Sequence, residues 1–127
     1  MGKESLFLVV AALGLTPIAL AYGAVPSASV PMLYGVEVND VNTTHILRDV
    51  MGFYLAMVLF WLIGARNEAI RLPALYSVVV FMLGLAAGRA ISLVVDGMPS
   101  PLLFVYLLLE IGFGVVGIVL AKSQSSA

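Results

Sequence analysis

Cysteine is absent from the 127 residues, which excludes disulfides, thiolate nucleophiles and cysteine-ligated zinc or iron–sulfur centres. Charge is nearly as scarce: Asp, Glu, Lys and Arg make up 10% of the chain, against about 25% in a typical soluble domain. So few polar side chains cannot cover a water-facing surface. Six basic and seven acidic residues leave a net charge of -1, so no cationic excess is available for a phosphate backbone, and no nucleic-acid partner is expected. The single histidine falls short of the several ligands a metal or a bis-histidyl haem requires. No metal site, cofactor or catalytic residue is expected, and an enzyme acting alone is disfavoured.

Apolar residues dominate instead, at 62% of the chain with a mean hydropathy of +1.13. A membrane-spanning helix takes about 20 mainly apolar residues. Four segments meet that need, at about residues 6–22, 44–65, 73–95 and 101–121. The expected fold is all-α, an integral membrane four-helix bundle forming a single domain, with a long outer loop between the first two spans. Asn42-Thr43-Thr44 can cap the second span, Pro73 and Pro101 suit first-turn positions, and Gly97 can end the third span. Pro17 falls inside the first span, a defect that neighbouring membrane helices can cover. Lys3 ahead of an apolar run resembles a signal peptide; the segment is taken here as a retained span.

Lys3, Arg66, Arg71 and Lys122 fall on one side of an even number of spans, with Glu37, Asp40 and Asp96 on the other. The basic side is expected to be cytoplasmic, placing both termini inside and the protein in a cell inner membrane. The outer stretch Ala24–Thr43 is long for a compact bundle and is expected to form a partly ordered flap. The polar tail at 122–127 is expected to be flexible.

Ionisable residues inside spans are costly, by about 2.5–3.5 kcal/mol each, and they tend to face the bundle interior in pairs. At about 1.5 Å of rise per residue, Arg48, Arg89 and Glu110 fall roughly 6, 10 and 14 Å in from the outer ends of their spans. They are expected to share the outer half of the bundle with Asp49. On the second span His45, Arg48 and Asp49 occupy one stripe, on the third Arg89 and Ser92 do so, and Tyr106 precedes Glu110 by one turn. The expected polar cluster is therefore His45, Arg48, Asp49, Arg89, Ser92, Tyr106 and Glu110, with Arg89 paired to Glu110 and Asp49 available to His45. Gly84 and Gly88 form a GxxxG motif suited either to packing within the bundle or to contact with a second copy. Phe60 and Trp61 are expected to anchor the span at the membrane interface.

The run from Val41 through Asn42-Thr43-Thr44-His45 and Arg48-Asp49 to Leu55, the segment Phe81–Arg89, and then Ser92, Asp96-Gly97-Met98-Pro99-Ser100 and Glu110, together resemble a family of small bacterial four-helix membrane proteins of unknown function. That family is in turn distantly similar to DoxX-type membrane proteins, a few of which are tied to quinone-linked oxidation. The resemblance implies a four-helix membrane fold and no assigned activity. The expected function is that of a structural, accessory or interaction protein with an intramembrane polar cluster; the alternatives are a module binding or transporting a lipid or small solute through an outer-leaflet pocket, and an accessory subunit of a quinone-linked oxidoreductase. Membrane lipid is the expected partner, with a homo-oligomer or a larger membrane complex open.

Overall fold

The computed structural model describes residues 1–126. It contains five helices, α1 (Lys3–Gly23), α2 (Pro26–Tyr34), α3 (Val41–Arg66), α4 (Glu68–Val95) and α5 (Pro101–Ser126), and no strand among the described residues. Helices α1, α3, α4 and α5 are each long and apolar enough to cross a membrane. The fifth, α2, lies in the expected flap.

Several boundaries differ from the sequence reading for identifiable reasons. Helix α3 starts at Val41 because the Asp40 carboxylate, not the Asn42–Thr44 side chains, accepts the Thr43 amide at 3.1 Å. Helix α4 begins at Glu68, since the Asn67 side chain accepts the Ala69 amide and serves as the cap. Pro73 therefore sits beyond the first turn. Lys122–Ser126 continue α5 as helix where a flexible tail was expected, while Ala127 lies outside the described residues. Pro101 and Gly97 occupy the anticipated positions, with Gly97 at φ +100° just after α4.

Helix α1 packs mainly along α3, while α4 bridges α3 and α5. The inward face of α1 is formed by Leu8, Ala11, Ala12, Leu15 and Ala19, a helical spacing whose three alanines let neighbouring helices approach closely. Trp61 on α3 is fully buried rather than interfacial. Its indole N–H donates to Ser77 Oγ at 2.9 Å and its ring meets Phe81 edge-on, so the polar end of the ring has a partner inside the bundle.

The glycines at the helix crossings are not those of the GxxxG motif. A Cβ at Gly84 or Gly88 would meet nothing within 4 Å, and both residues are exposed. Packing within the bundle uses Gly23 against Met51, Gly64 against Ala74, Gly114 against Leu83 and Gly117 against Val79. The bulky side chains along α4 turn its other face inward.

Two arginines close helix ends. Arg71 donates from Nε to Gly64 O and from Nη2 to Ala65 O, both at 3.2 Å, meeting carbonyls that the last turn of α3 leaves without an intrahelical donor. At the opposite end of the bundle Arg48 does the same for α1.

The Asp40 cap gives a pH prediction. Hydrogen bonding from the Thr43 side chain and backbone holds the Asp40 carboxyl below the ordinary aspartate value. The cap is therefore complete above the unfolded aspartate pKa of about 3.9 and is lost as pH falls through the lower folded value. Hydrogen exchange at the Thr43 amide should show protection that survives at pH 4 and declines only in stronger acid. In Asp40→Asn that decline should vanish, because an amide does not titrate.

Candidate functional site

Helices α4 and α5 pack closely enough for Arg89 to reach Glu110. The Arg89 Nε–H sits between the two carboxylate oxygens, at 3.0 Å from Oε1 and 3.1 Å from Oε2. The Glu110 side chain is 8% exposed and that of Arg89 is 24% exposed. Two apolar helices can carry these charges because the pair is neutral as a unit, although such a pair adds little net stability.

Around the pair stand four of the five tyrosines of the chain, drawn from α1, α2, α3 and α5. Tyr22 accepts a 3.4 Å hydrogen bond from Arg89 Nη2. The guanidinium carbon lies 5.6 Å from the centre of the Tyr106 ring. Tyr34 and Tyr106 share a 2.8 Å hydroxyl–hydroxyl bond, and the Tyr22 ring stacks on Tyr34 and meets Tyr54 edge-on. Tyr106 is the one member of this ring singled out by the sequence. The signal for the other three is chemical: a tyrosine has an apolar body and a hydroxyl that needs a partner once buried.

Helix α2 covers this assembly from one end. Pro26 opens it, Gly35 closes it in the left-handed conformation at φ 69°, and Val30 and Tyr34 face inward with Val38 and Tyr106. The Ser29 hydroxyl donates to Ala21 O, tying α2 to the end of α1. Burial, seconded by the Tyr106 hydrogen bond, raises the Tyr34 hydroxyl above the usual tyrosine range, so it remains a neutral phenol.

The remaining expected members lie elsewhere. Arg48 donates from Nη1 to Gly23 O at 3.0 Å and Ala24 O at 3.3 Å, because α1 ends beside it and offers unmet carbonyls. His45 lines an exposed crevice with Asn39, Asp40, Thr44 and Arg48. Asp49 is exposed and makes neither an ion pair nor a side-chain hydrogen bond among the described residues, so the expected His45–Asp49 contact does not form. Ser92 is also exposed, donating to Asp96 Oδ2 at 2.6 Å. The seven-residue cluster is thus a core of Arg89, Glu110 and Tyr106, joined by Tyr22, Tyr34 and Tyr54.

A cavity of about 70 Å³ runs from this core to the seam between α1 and α5. Its walls are apolar: Ala11, Gly14 and Ile18 on α1, Leu85 on α4, Leu109 and Phe113 on α5. Its inner end is formed by Tyr54, Arg89, Tyr106 and Glu110. Gly14 is exposed with open space where a Cβ would stand, and Leu109 is 48% exposed. The cavity is therefore a slot opening sideways between helices, toward the surface that would face lipid.

Residues 4–121 match the model of a protein family described as a domain of unknown function, DUF4345. The chain belongs to that family. No curated protein and no solved structure matches it. The match takes in most of each of the four long helices, the Arg89–Glu110 pair and the whole slot, so the site lies within the family domain. Among the described residues no group of three or more His, Cys, Asp or Glu could hold a metal. Chemically the site offers a neutral ion pair, phenolic hydroxyls and apolar walls, which suits binding of an amphiphilic molecule.

Proposed function

We propose that this protein is a small membrane-embedded binding module that takes an amphiphile sideways from the bilayer into the α1–α5 slot. The observation carrying this is the slot itself, apolar along its walls and polar only at its inner end. That is the usual make-up of a small-molecule site, mostly hydrophobic with a few placed polar groups. A purely structural role accounts for the Arg89–Glu110 pair and leaves the opening beside Gly14 without a purpose. Membrane lipid is the partner pool in this reading, and α2 shields the polar end from the aqueous side.

Native mass spectrometry of protein released from its own membranes in mild detergent tests the proposal. Wild type should retain one amphiphile per chain, and Gly14→Phe, which fills the mouth without touching the polar core, should retain none. Equal retention by both proteins, or none by either, would contradict it.

The orientation we propose places both termini on the cytoplasmic side of a cell inner membrane and α2 on the opposite side. Lys3, Arg66, Arg71 and Lys122 support it, since basic residues flanking spans accumulate inside. Single cysteines are easily read in a chain that has none. An impermeant thiol reagent applied to intact cells should label Asn39→Cys and spare Ser125→Cys; the reverse pattern would invert the orientation.

A further inference from the structure

The geometry points to the class of molecule the slot takes: a single-chain amphiphile whose head is uncharged and presents a carbonyl-type hydrogen-bond acceptor. This rests on the slot being a binding site and adds the identity of the head group. Tyr54 supplies the first observation. It is 6% exposed and lines the slot, yet its hydroxyl has no hydrogen-bond partner among the described residues, unlike those of Tyr22, Tyr34 and Tyr106. That oxygen is not sealed off as the orphaned oxygens of Glu4 and Ser100 are, and it retains contact with open space. A buried hydroxyl left unpaired costs free energy, and a ligand group in the slot would meet it.

Which group fits follows from counting donors and acceptors. Arg89 uses Nε on Glu110 and Nη2 on Tyr22, and Nη1 has no partner among the described residues. Both Glu110 oxygens already accept from Arg89. Each Glu110 oxygen keeps a further lone pair, but Arg89 Nη1 and the Tyr54 hydroxyl are both without partners among the described residues, so the inner end still holds more unmet donors than its Arg89–Glu110 bonds use. A complementary head brings an acceptor. A carboxylate or ammonium head would bring a net charge into an apolar surround where Arg89 and Glu110 already neutralise each other, so its desolvation would go uncompensated. An uncharged carbonyl avoids that cost.

The space for the chain is a second observation. Leu109 and Phe113 line the slot and also an open apolar groove of about 280 Å³ that continues past Gly112 to Val116 and Phe7. The slot proper is about 70 Å³, room for a small head at roughly 30 Å³ per water-sized group. The groove carries one aliphatic chain away from it along the α1–α5 seam.

Full-length protein in phosphatidylcholine nanodiscs, titrated with probes of equal carbon number, tests this: 2-tridecanone, tridecanoate at pH 9 and tridecane, each followed by the shift in melting midpoint. The ketone should bind at least tenfold more tightly than either of the others. Tyr54→Phe, which keeps the edge-on ring contact with Phe81, should weaken the ketone roughly three- to tenfold, the worth of one hydrogen bond, and leave tridecane unchanged. Should all three probes bind alike and lose binding together in Gly14→Phe, the slot stands as a binding site and the head-group assignment is overturned. Binding of the ketone that is indifferent to Tyr54→Phe overturns it too. If no probe binds wild type, the binding reading and this inference fall together.

Discussion

Replacing Glu110 with Gln should destabilise the protein by about 3–5 kcal/mol, the usual result of removing one partner from a buried ion pair. The reason is the charge left behind. Arg89 sits between Tyr22 and Tyr106 with a 24%-exposed side chain and no other acid bonded to it, so its guanidinium would lose its counter-charge where water can do little to replace it. Arg89→Met alone should cost less, since it leaves a carboxylate that can take up a proton. The double variant Arg89→Met, Glu110→Leu should recover much of the loss, because apolar residues of similar volume often replace a buried pair at little net cost. Thermal melts of the four proteins in one detergent provide the measurement. Single variants as stable as wild type would show that the pair is solvated and not part of the interior.

Gly64→Leu should be among the most damaging glycine substitutions, together with replacement of Gly23, where a Cβ would collide with Met51 and meet the Leu47 carbonyl oxygen at 2.9 Å. A Cβ at Gly64 would collide with the Cβ of Ala74, and the Ile70 carbonyl oxygen lies only 3.4 Å from it. Neither atom belongs to the far end of a flexible side chain, so α3 and α4 would have to separate near the hairpin that joins them. Overpacking of this kind costs about 1–3 kcal/mol and occasionally more. The contact lies beside Trp61 and Arg71, whose hydrogen bonds to Ser77 and to the last carbonyls of α3 depend on the same approach. Gly84→Leu and Gly88→Leu serve as controls, since both positions look into open space. Those two should melt like wild type as monomers, and any loss of self-association they cause would identify the GxxxG face as a contact between copies.

That contrast marks how far the sequence could be read. Four long apolar helices follow from where charges stop and start, and pairing of Arg89 with Glu110 follows from depth, because both fall inside spans and an unpaired charge there is expensive. Depth along a helix carries no information about which neighbour a side chain faces, however. Arg48 is at similar depth to Arg89, yet it serves the end of α1, because helix ends create acceptors wherever the chain happens to leave a helix. The same ambiguity makes GxxxG a statement about one face of α4 without saying what meets that face. Tyr22, Tyr34 and Tyr54 stay hidden for a different reason: each is an ordinary apolar residue in a hydropathy profile, and only the meeting of four helices at one point turns them into a polar ring. The slot is less legible still. It is the gap left where α1 and α5 touch sparsely, and no residue in the sequence announces a gap.

The central claim, a sideways-opening slot that holds an amphiphile, is tested most directly by photo-crosslinking in native membranes. A benzophenone amino acid placed at Leu109, in the wall shared by the slot and its groove, is compared with one at Val80, which is 73% exposed on α4. The account predicts one predominant amphiphile adduct at position 109, lost when Gly14→Phe is added, and only the bulk lipid mixture at position 80. The same adducts in the same proportions at both positions would contradict it, leaving a four-span bundle whose polar core only holds its helices together.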